Sequence, residues 1–288
     1  MGMVVTIMNM KGGVGKTTVA MHLGGVIARY KFGGKRRSVL LVDYDPQFNL
    51  SQAFIPPKKY FDIEKHRRTA LAILQDDETD IDPFCLQVPG NESPPRVLAL
   101  THKVYRFVDG RKLDLIPSTL DLMYIALGQS LKRTKPMEER FAKFMAECRK
   151  KYDLIFIDCH PAGSLFTKTS LKNSDHVIIP VVPQRYAVRG IALMLKFIES
   201  KSLATDAPTP HILFNLTDRI GISKEVREIR STKKFAKLCM TTTLKRYKAF
   251  SEPLDGKGFV WSSRKPWSTY AFQNLYAVAE EFVNRIAN

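Results

Sequence analysis

Residues 8–18 read MNMKGGVGKTT: three glycines bracketed by two lysines, directly after the apolar run VVTIMN (4–9) and before a helical pattern that opens at Lys16. Gly12, Gly13 and Gly15 permit backbone angles closed to other residues, so successive N–H groups converge on phosphate oxygens. The start of the following helix adds partial positive charge. Lys16 brings a full charge to the β- and γ-phosphates and Thr17 a hydroxyl for Mg²⁺, with Val14 and Thr18 completing the cradle. The common spacing GxxxxGK[ST] asks for glycine at position 10, where Met10 stands. Lys11 has no role in an ordinary loop of this kind. A tight strand–helix turn without a ligand is the bland alternative, and it leaves the Lys-Thr pair after three glycines unexplained.

Outward from this loop the chain alternates short apolar runs with amphipathic segments. VVTIMN (4–9), SVLLVD (38–43), LDLIPS (113–118), DLIFID (153–158), HVIIPVV (176–182) and HILFNL (211–216) read as strands. Their continuous apolar character suits strands covered on both faces. Helical patterns fall at about 16–30, 69–75, 138–151, 188–200, 224–238 and 270–286. The alternation predicts an α/β fold, a doubly wound and mostly parallel sheet flanked by helices. One domain over residues 1–288 is expected, with a variable insertion at about 56–110 and a basic C-terminal region at about 216–268. Residues 56–68, 76–96 and 240–268 are charged or proline-rich and read as excursions.

Two strand ends carry carboxylates. LLVDYDPQ (40–47) ends with Asp43 and Asp45 on either side of Tyr44, leaning to one side of the strand. LIFIDCHP (154–161) runs four apolar residues into Asp158, the Walker B arrangement, which orders Mg²⁺ through its water shell. An aspartate at a strand end is often only a turn or cap residue; the glycine loop in the same chain favours the joint explanation.

Composition narrows the partners. Lys+Arg number 45 against 28 Asp+Glu, a formal net charge of +17, which points to an anionic partner: nucleic acid, acidic membrane or polyphosphate. No run of 18 apolar residues and no cationic-then-apolar leader is present, so a cytoplasmic protein is expected. MGMVVT (1–6) fits a myristoylation pattern, but the same residues open the first strand. Cys85, Cys148, Cys159 and Cys239 show no CxxC spacing, which points to reduced thiols rather than a zinc or disulfide scaffold.

At these motifs the sequence resembles the ParA/MinD family of deviant-Walker ATPases, and is closer to the ParA-type partition ATPases. The family's KGGxGK[ST]T stands at 11–18, its DxDPQxN at 43–49 with Phe48 where glycine is commoner, and its IIIDxPP at 155–161 with His160 in place of the first proline. LDLIPSTLDL (113–122) and VIIPVVPQRYAVRGI (177–191) resemble later family segments. The resemblance implies a homodimer that forms on ATP binding. Lys11 would be the signature lysine that reaches the partner subunit's phosphates. It implies Lys11, Lys16 and Asp45 as catalytic, Asp45 by positioning the hydrolytic water, and Thr17, Asp43 and Asp158 around Mg²⁺. Gln47 and Asn49 would lie in a first switch. Asn215 would contact adenine, or else is a turn residue at a strand end. ATP/ADP and Mg²⁺ are the implied cofactors.

The positive charge concentrates late. Between 216 and 265 stand 13 Lys+Arg against five acidic residues, and SKEVREIRSTKKFAKL (223–238) spaces Lys224, Arg227 and Arg230 at i, i+3 and i+6, continued by Lys233, Lys234 and Lys237. Such a ladder is either a solvated helix face or a phosphate-binding one. With Arg219, Lys245 and Arg246 it is the expected surface for non-specific double-stranded DNA, as the resemblance implies, with nucleoid association and a ParB-like centromere-binding or activator partner. No helix-turn-helix precedes the first strand, so sequence-specific operator binding has no evident module.

A MinD-like membrane ATPase would end in a basic amphipathic helix, whereas 269–288 carries Glu280 and Glu281 and reads as a packing helix, so no stable membrane association is expected. The runner-up is a MinD-like or orphan ParA-like ATPase that positions a protein complex or membrane-associated machinery. A vestigial binding protein is argued against by intact Lys16, Thr17, Asp45 and Asp158.

Overall fold

The computed structural model describes residues 1–75, 93–127, 131–160, 165–201, 207–251 and 258–287. The charged run at 76–83, Cys85, Pro161, Glu252, Asp255 and Lys257 lie outside them.

The first half of the chain gives β1 (Met3–Ile7), α1 (Lys16–Arg29), β2 (Val39–Tyr44), α2 (Asn49–Phe54), α3 (Pro57–Lys65), α4 (Leu71–Leu74), α5 (Val97–Leu100), β3 (His102–Arg106), β4 (Lys112–Ile116) and α6 (Leu122–Leu127). The second half gives α7 (Leu131–Lys151), β5 (Leu154–Cys159), α8 (Leu165–Lys172), β6 (His176–Val181), α9 (Ala187–Lys201), β7 (Thr209–Thr217), α10 (Lys224–Ser231), α11 (Lys233–Ala236), β8 (Leu244–Lys245) and α12 (Ser268–Ala287). The strands form one eight-stranded sheet in the order β3-β4-β2-β5-β1-β6-β7-β8, parallel except for the β3–β4 edge pair. The expected doubly wound α/β fold is what forms.

Both faces of the sheet are buried, which explains the unbroken apolar runs. Val4, Leu40, Val42, Ile155 and Ile157 face a core with Phe141, Phe144, Phe166 and Met194 from α7, α8 and α9. Their neighbours Val5, Ile7, Leu41, Leu154 and Phe156 face the opposite core with α1 and α12. Each such side chain, fully buried, contributes about 1.5–3 kcal/mol by leaving water. Helix α1 sits close on its strands because Gly24 lacks a side chain: a Cβ there would stand 2.6 Å from Leu41 Cδ2.

Three sequence expectations change. Residues 56–68 are not a plain excursion, since 57–65 form α3, with Pro57 at its first turn, where a proline's missing N–H costs nothing. Strand β3, HKVYR, is half exposed at the antiparallel edge, so it carries no apolar run to mark it. The helix expected over 224–238 breaks in two, because Thr232 takes an extended conformation between α10 and α11.

Candidate phosphate-binding site

Strand register assembles the site. β1 lies between β5 and β6, so the glycine loop leaves the centre of the sheet, and Asp158 of β5 pairs in register with both Ile7 of β1 and Asp43 of β2. A cavity of about 540 Å³ opens above these strand ends. Gly12, Gly13, Gly15, Lys16, Thr17 and Thr18 line one side, and Asp45, Gln47, Asn49, Gln52 and His160 the other. Gly15 sits at φ 82, the left-handed region, and a Cβ there would meet Asn215 Nδ2 at 2.4 Å. Met10, at the position where glycine is usual, is partly buried and packs its side chain on the core.

The charges at this cavity fit a metal-bound polyphosphate. Lys16 is 9 % exposed and its ammonium makes no ion pair with the described residues. Asp158 is buried, and among the described residues only the Thr17 hydroxyl comes near enough to act on its carboxylate as a donor, short of a well-formed hydrogen bond. Burial pushes its carboxyl up to about 7 and nearby Asp45 adds to this, while the Thr17 hydroxyl and the Lys16 charge pull the other way. A buried cation and a buried carboxylate without full partners are costly unless an anion and a cation complete them. Among the described residues no group of three or more His, Cys, Asp or Glu could cage a metal; Mg²⁺ ordinarily takes one or two carboxylates plus phosphate and water, not a cage. Thr17 and Asp158 would hold it.

Asp45 accepts the Gln47 N–H at 3.0 Å through Oδ1, which leaves its other oxygen without a protein partner among the described residues. Asp43, expected to support the Mg²⁺ shell, is tied to the chain mainly through one oxygen. It is fully buried and its Oδ2 accepts both the Ser51 N–H (2.7 Å) and the Ser51 hydroxyl (2.6 Å). Burial, and then Asp158 beside it, hold its carboxyl well above the usual range. Asp43 therefore braces the start of α2, and Ser51 in turn accepts the Ser118 N–H from the end of β4.

Asn215 ties β7 to the glycine loop: its Nδ2 donates to the Val14 carbonyl at 2.8 Å and its Oδ1 accepts the Leu216 N–H at 2.8 Å. These bonds use one of its two amide hydrogens and one oxygen lone pair, so the amide keeps capacity for a base. Lys11 is exposed and lies outside the residues that line its own cavity; its Nζ donates to Gln184 Oε1 at 2.7 Å on the loop after β6. Gln184 also lines a second cavity of about 210 Å³, together with Asp218, Thr243 and Arg246, which no sequence motif marked. Cys159 is buried and its thiol is pushed up to about 12 by burial, as befits a core thiol.

Similarity to known proteins places the chain in a family. A family model described as an AAA domain matches residues 2–207. The sporulation initiation inhibitor protein Soj of Bacillus subtilis is 32% identical over 266 residues, 90% of this chain and 91% of its own. The chain belongs to the ParA family of P-loop ATPases. A ParA family protein of Chlamydia trachomatis is 27% identical over 199 residues, 69% of this chain and 66% of its own. Among solved structures, a plasmid partition protein from Borrelia burgdorferi bound to AMPPNP superposes with a TM-score of 0.68 at 23% identity, covering 99% of this chain and 100% of that one. At that identity the likeness shows the fold.

The basic surface departs from the expected ladder. Lys224, Arg227, Lys233, Lys234, Arg219 and Arg246 are exposed and Lys245 half-exposed. Arg230 is turned inward: it donates to the carbonyls of Met240 (2.8 Å) and Thr241 (2.6 Å) and lies over the Phe214 ring. Each i→i+3 step falls about 60° short of a full turn, so two steps carry the third cation roughly 120° around the helix. Arg230 is a clamp between α10 and the segment before β8, and the ladder stops at Thr232.

Proposed function

We propose that the chain is a Mg²⁺–ATP-dependent ATPase switch. Two copies meet across their nucleotide faces in the ATP state, bind duplex DNA non-specifically, and are released by hydrolysis that a ParB-like centromere-binding or activator protein stimulates. The observation that carries the reading is the Lys16 ammonium, which lines the cavity without an ion-pair partner among the described residues, above the strand end where Asp158 lies buried near Thr17, with Lys11 outside the lining.

The residues divide the work. The loop amides, Lys16 and the α1 N-terminus take the charge of the β- and γ-phosphates. Mg²⁺, when bound, neutralises charge that develops on those oxygens. Asp45 orients the attacking water and receives its proton, and Gln47 and Asn49 register the γ-phosphate. Lys11 is exposed beside its own cavity, outside the lining, and from there it reaches a facing copy's phosphates in this reading. Hydrolysis therefore waits on dimerisation. The second cavity, bounded by Gln184, Asp218 and Arg246, is where the base and ribose fit in this reading.

Membrane attachment finds no support in the C-terminal helix, because α12 spends Leu275, Val278, Phe282 and Ile286 on the core. Among the described residues no helix is long and apolar enough to cross a membrane. The exposed cations Arg219, Lys224, Arg227 and Arg246 favour an anionic surface, and duplex DNA is the anion to test.

With Mg²⁺–ATP, affinity for a random duplex should fall on the order of 10²- to 10³-fold between 50 and 200 mM salt, since about four to six phosphate contacts set a steep dependence. Fluorescence anisotropy at the two salt concentrations, with ATP and with ADP, measures it. Equal binding in the two nucleotide states would defeat the DNA switch.

A further inference from the structure

Phe48 stands in the left-handed region at φ 42, a conformation that an aromatic residue rarely keeps. Its backbone is pinned at both ends: its N–H donates to the Asp45 carbonyl at 2.9 Å, and its carbonyl accepts the Gln52 N–H at 3.0 Å at the start of α2. Its ring lies flat on Tyr60 of α3, with centroids 5.0 Å apart and planes 9° from parallel. The Tyr60 hydroxyl lies 3.0 Å from the Ser118 carbonyl and 3.1 Å from Glu64 Oε1, and Thr119 donates to the same Glu64 oxygen at 2.7 Å. The Ser118 hydroxyl returns to the Asp45 carbonyl at 2.7 Å. The circuit closes on the residue proposed to hold the attacking water.

Phe48 itself does not line the phosphate cavity, but both its neighbours, Gln47 and Asn49, do, as does Gln52. Strain in such a residue persists only while the surroundings over-determine it, and the flat aromatic stack is of comparable size to the strain. The segment is therefore poised: a shift of Gln47 or Asn49 against the last phosphate moves residue 48, and residue 48 is coupled face to face with α3. Helix α3 turns Lys58, Lys59 and Phe61 to solvent, so its movement is displayed on the surface.

We propose that the Phe48–Tyr60 stack is a latch that holds the 45–52 segment in its hydrolysis-ready form and carries the nucleotide state of the cavity to α3. Phe48 and Tyr60 act as positioning residues, since neither touches the phosphate site. The proposal rests on the nucleotide-switch reading above.

Hydrogen exchange of α3 amides, compared between Mg²⁺–AMPPNP and Mg²⁺–ADP, tests it together with turnover. The wild-type chain should show at least a fivefold difference in α3 exchange between the two nucleotides. In Phe48→Gly, which removes the ring and the strain together, that difference should fall below twofold and kcat should drop at least fivefold, with the ADP Kd unchanged within threefold. Phe48→Tyr should restore both readouts, and Tyr60→Leu should reproduce the loss from the other side of the stack without touching residue 48. A wild-type-like difference at α3 in Phe48→Gly or Tyr60→Leu would overturn the latch. So would a wild-type chain that binds both nucleotides with α3 unchanged. A chain that binds no adenine nucleotide would overturn the switch reading itself, and the latch with it.

Discussion

Replacing Lys16 with alanine should weaken ADP and AMPPNP binding at least about 100-fold, on the order of 2.7 kcal/mol, without unfolding the chain. The side chain is 9 % exposed yet pairs with no described carboxylate, so it is not holding elements of the fold together. It acts on Asp158, whose carboxyl burial has already pushed up to about 7. Lys16 contributes instead to the field at the glycine loop, where partial charges from the helix N-terminus leave most of a polyphosphate's charge unbalanced. Calorimetric titration reads the affinity, and a thermal melt without nucleotide, unchanged within a few degrees, separates lost binding from lost structure. Affinity within threefold of wild type would remove the cavity from consideration as the phosphate site.

Asp45→Asn should give the opposite split. The amide oxygen can still accept the Gln47 N–H that Asp45 Oδ1 accepts at 3.0 Å, so the loop keeps its shape while the negative charge and basicity go. Nucleotide affinity should stay within threefold and turnover should fall on the order of 100-fold, the usual size for one positioned group in phosphoryl transfer. Single-turnover phosphate release with saturating Mg²⁺–ATP measures it. Turnover within threefold of wild type would mean that another group lining the cavity, His160 foremost, orients the water.

These expectations draw on residues of unequal legibility. The glycine loop and Asp158 could be read from sequence because their signals are local: a strand, a turn and a helix start within 15 residues, and an apolar run ending in one carboxylate. The bonds that Asn215 and Gln184 make to the loop could not. Each spans about 170–200 residues of sequence, through the placement of β6 beside β1 and of β7 beside β6. Asp43 was visible as a carboxylate, but its task depends on Ser51 folding back over it, which only the turn into α2 reveals. Helix α3 was hidden by its composition, since a short proline- and lysine-rich helix buries just Tyr60 and Ile63. Arg230 shows the limit of ladder counting: spacing placed it with Lys224 and Arg227, while helix drift turned it to the sheet.

Sedimentation velocity of the wild-type chain and of Lys11→Ala, each saturated with Mg²⁺–AMPPNP or with Mg²⁺–ADP, tests the central claim most directly: that two copies must meet to complete the site. The account predicts a wild-type dimer with AMPPNP and a monomer with ADP. Lys11→Ala should remain a monomer with both, while it binds AMPPNP within threefold of the wild-type monomer. A Lys11→Ala chain that dimerises as the wild type does, or a wild-type chain that stays monomeric with AMPPNP bound, would contradict it.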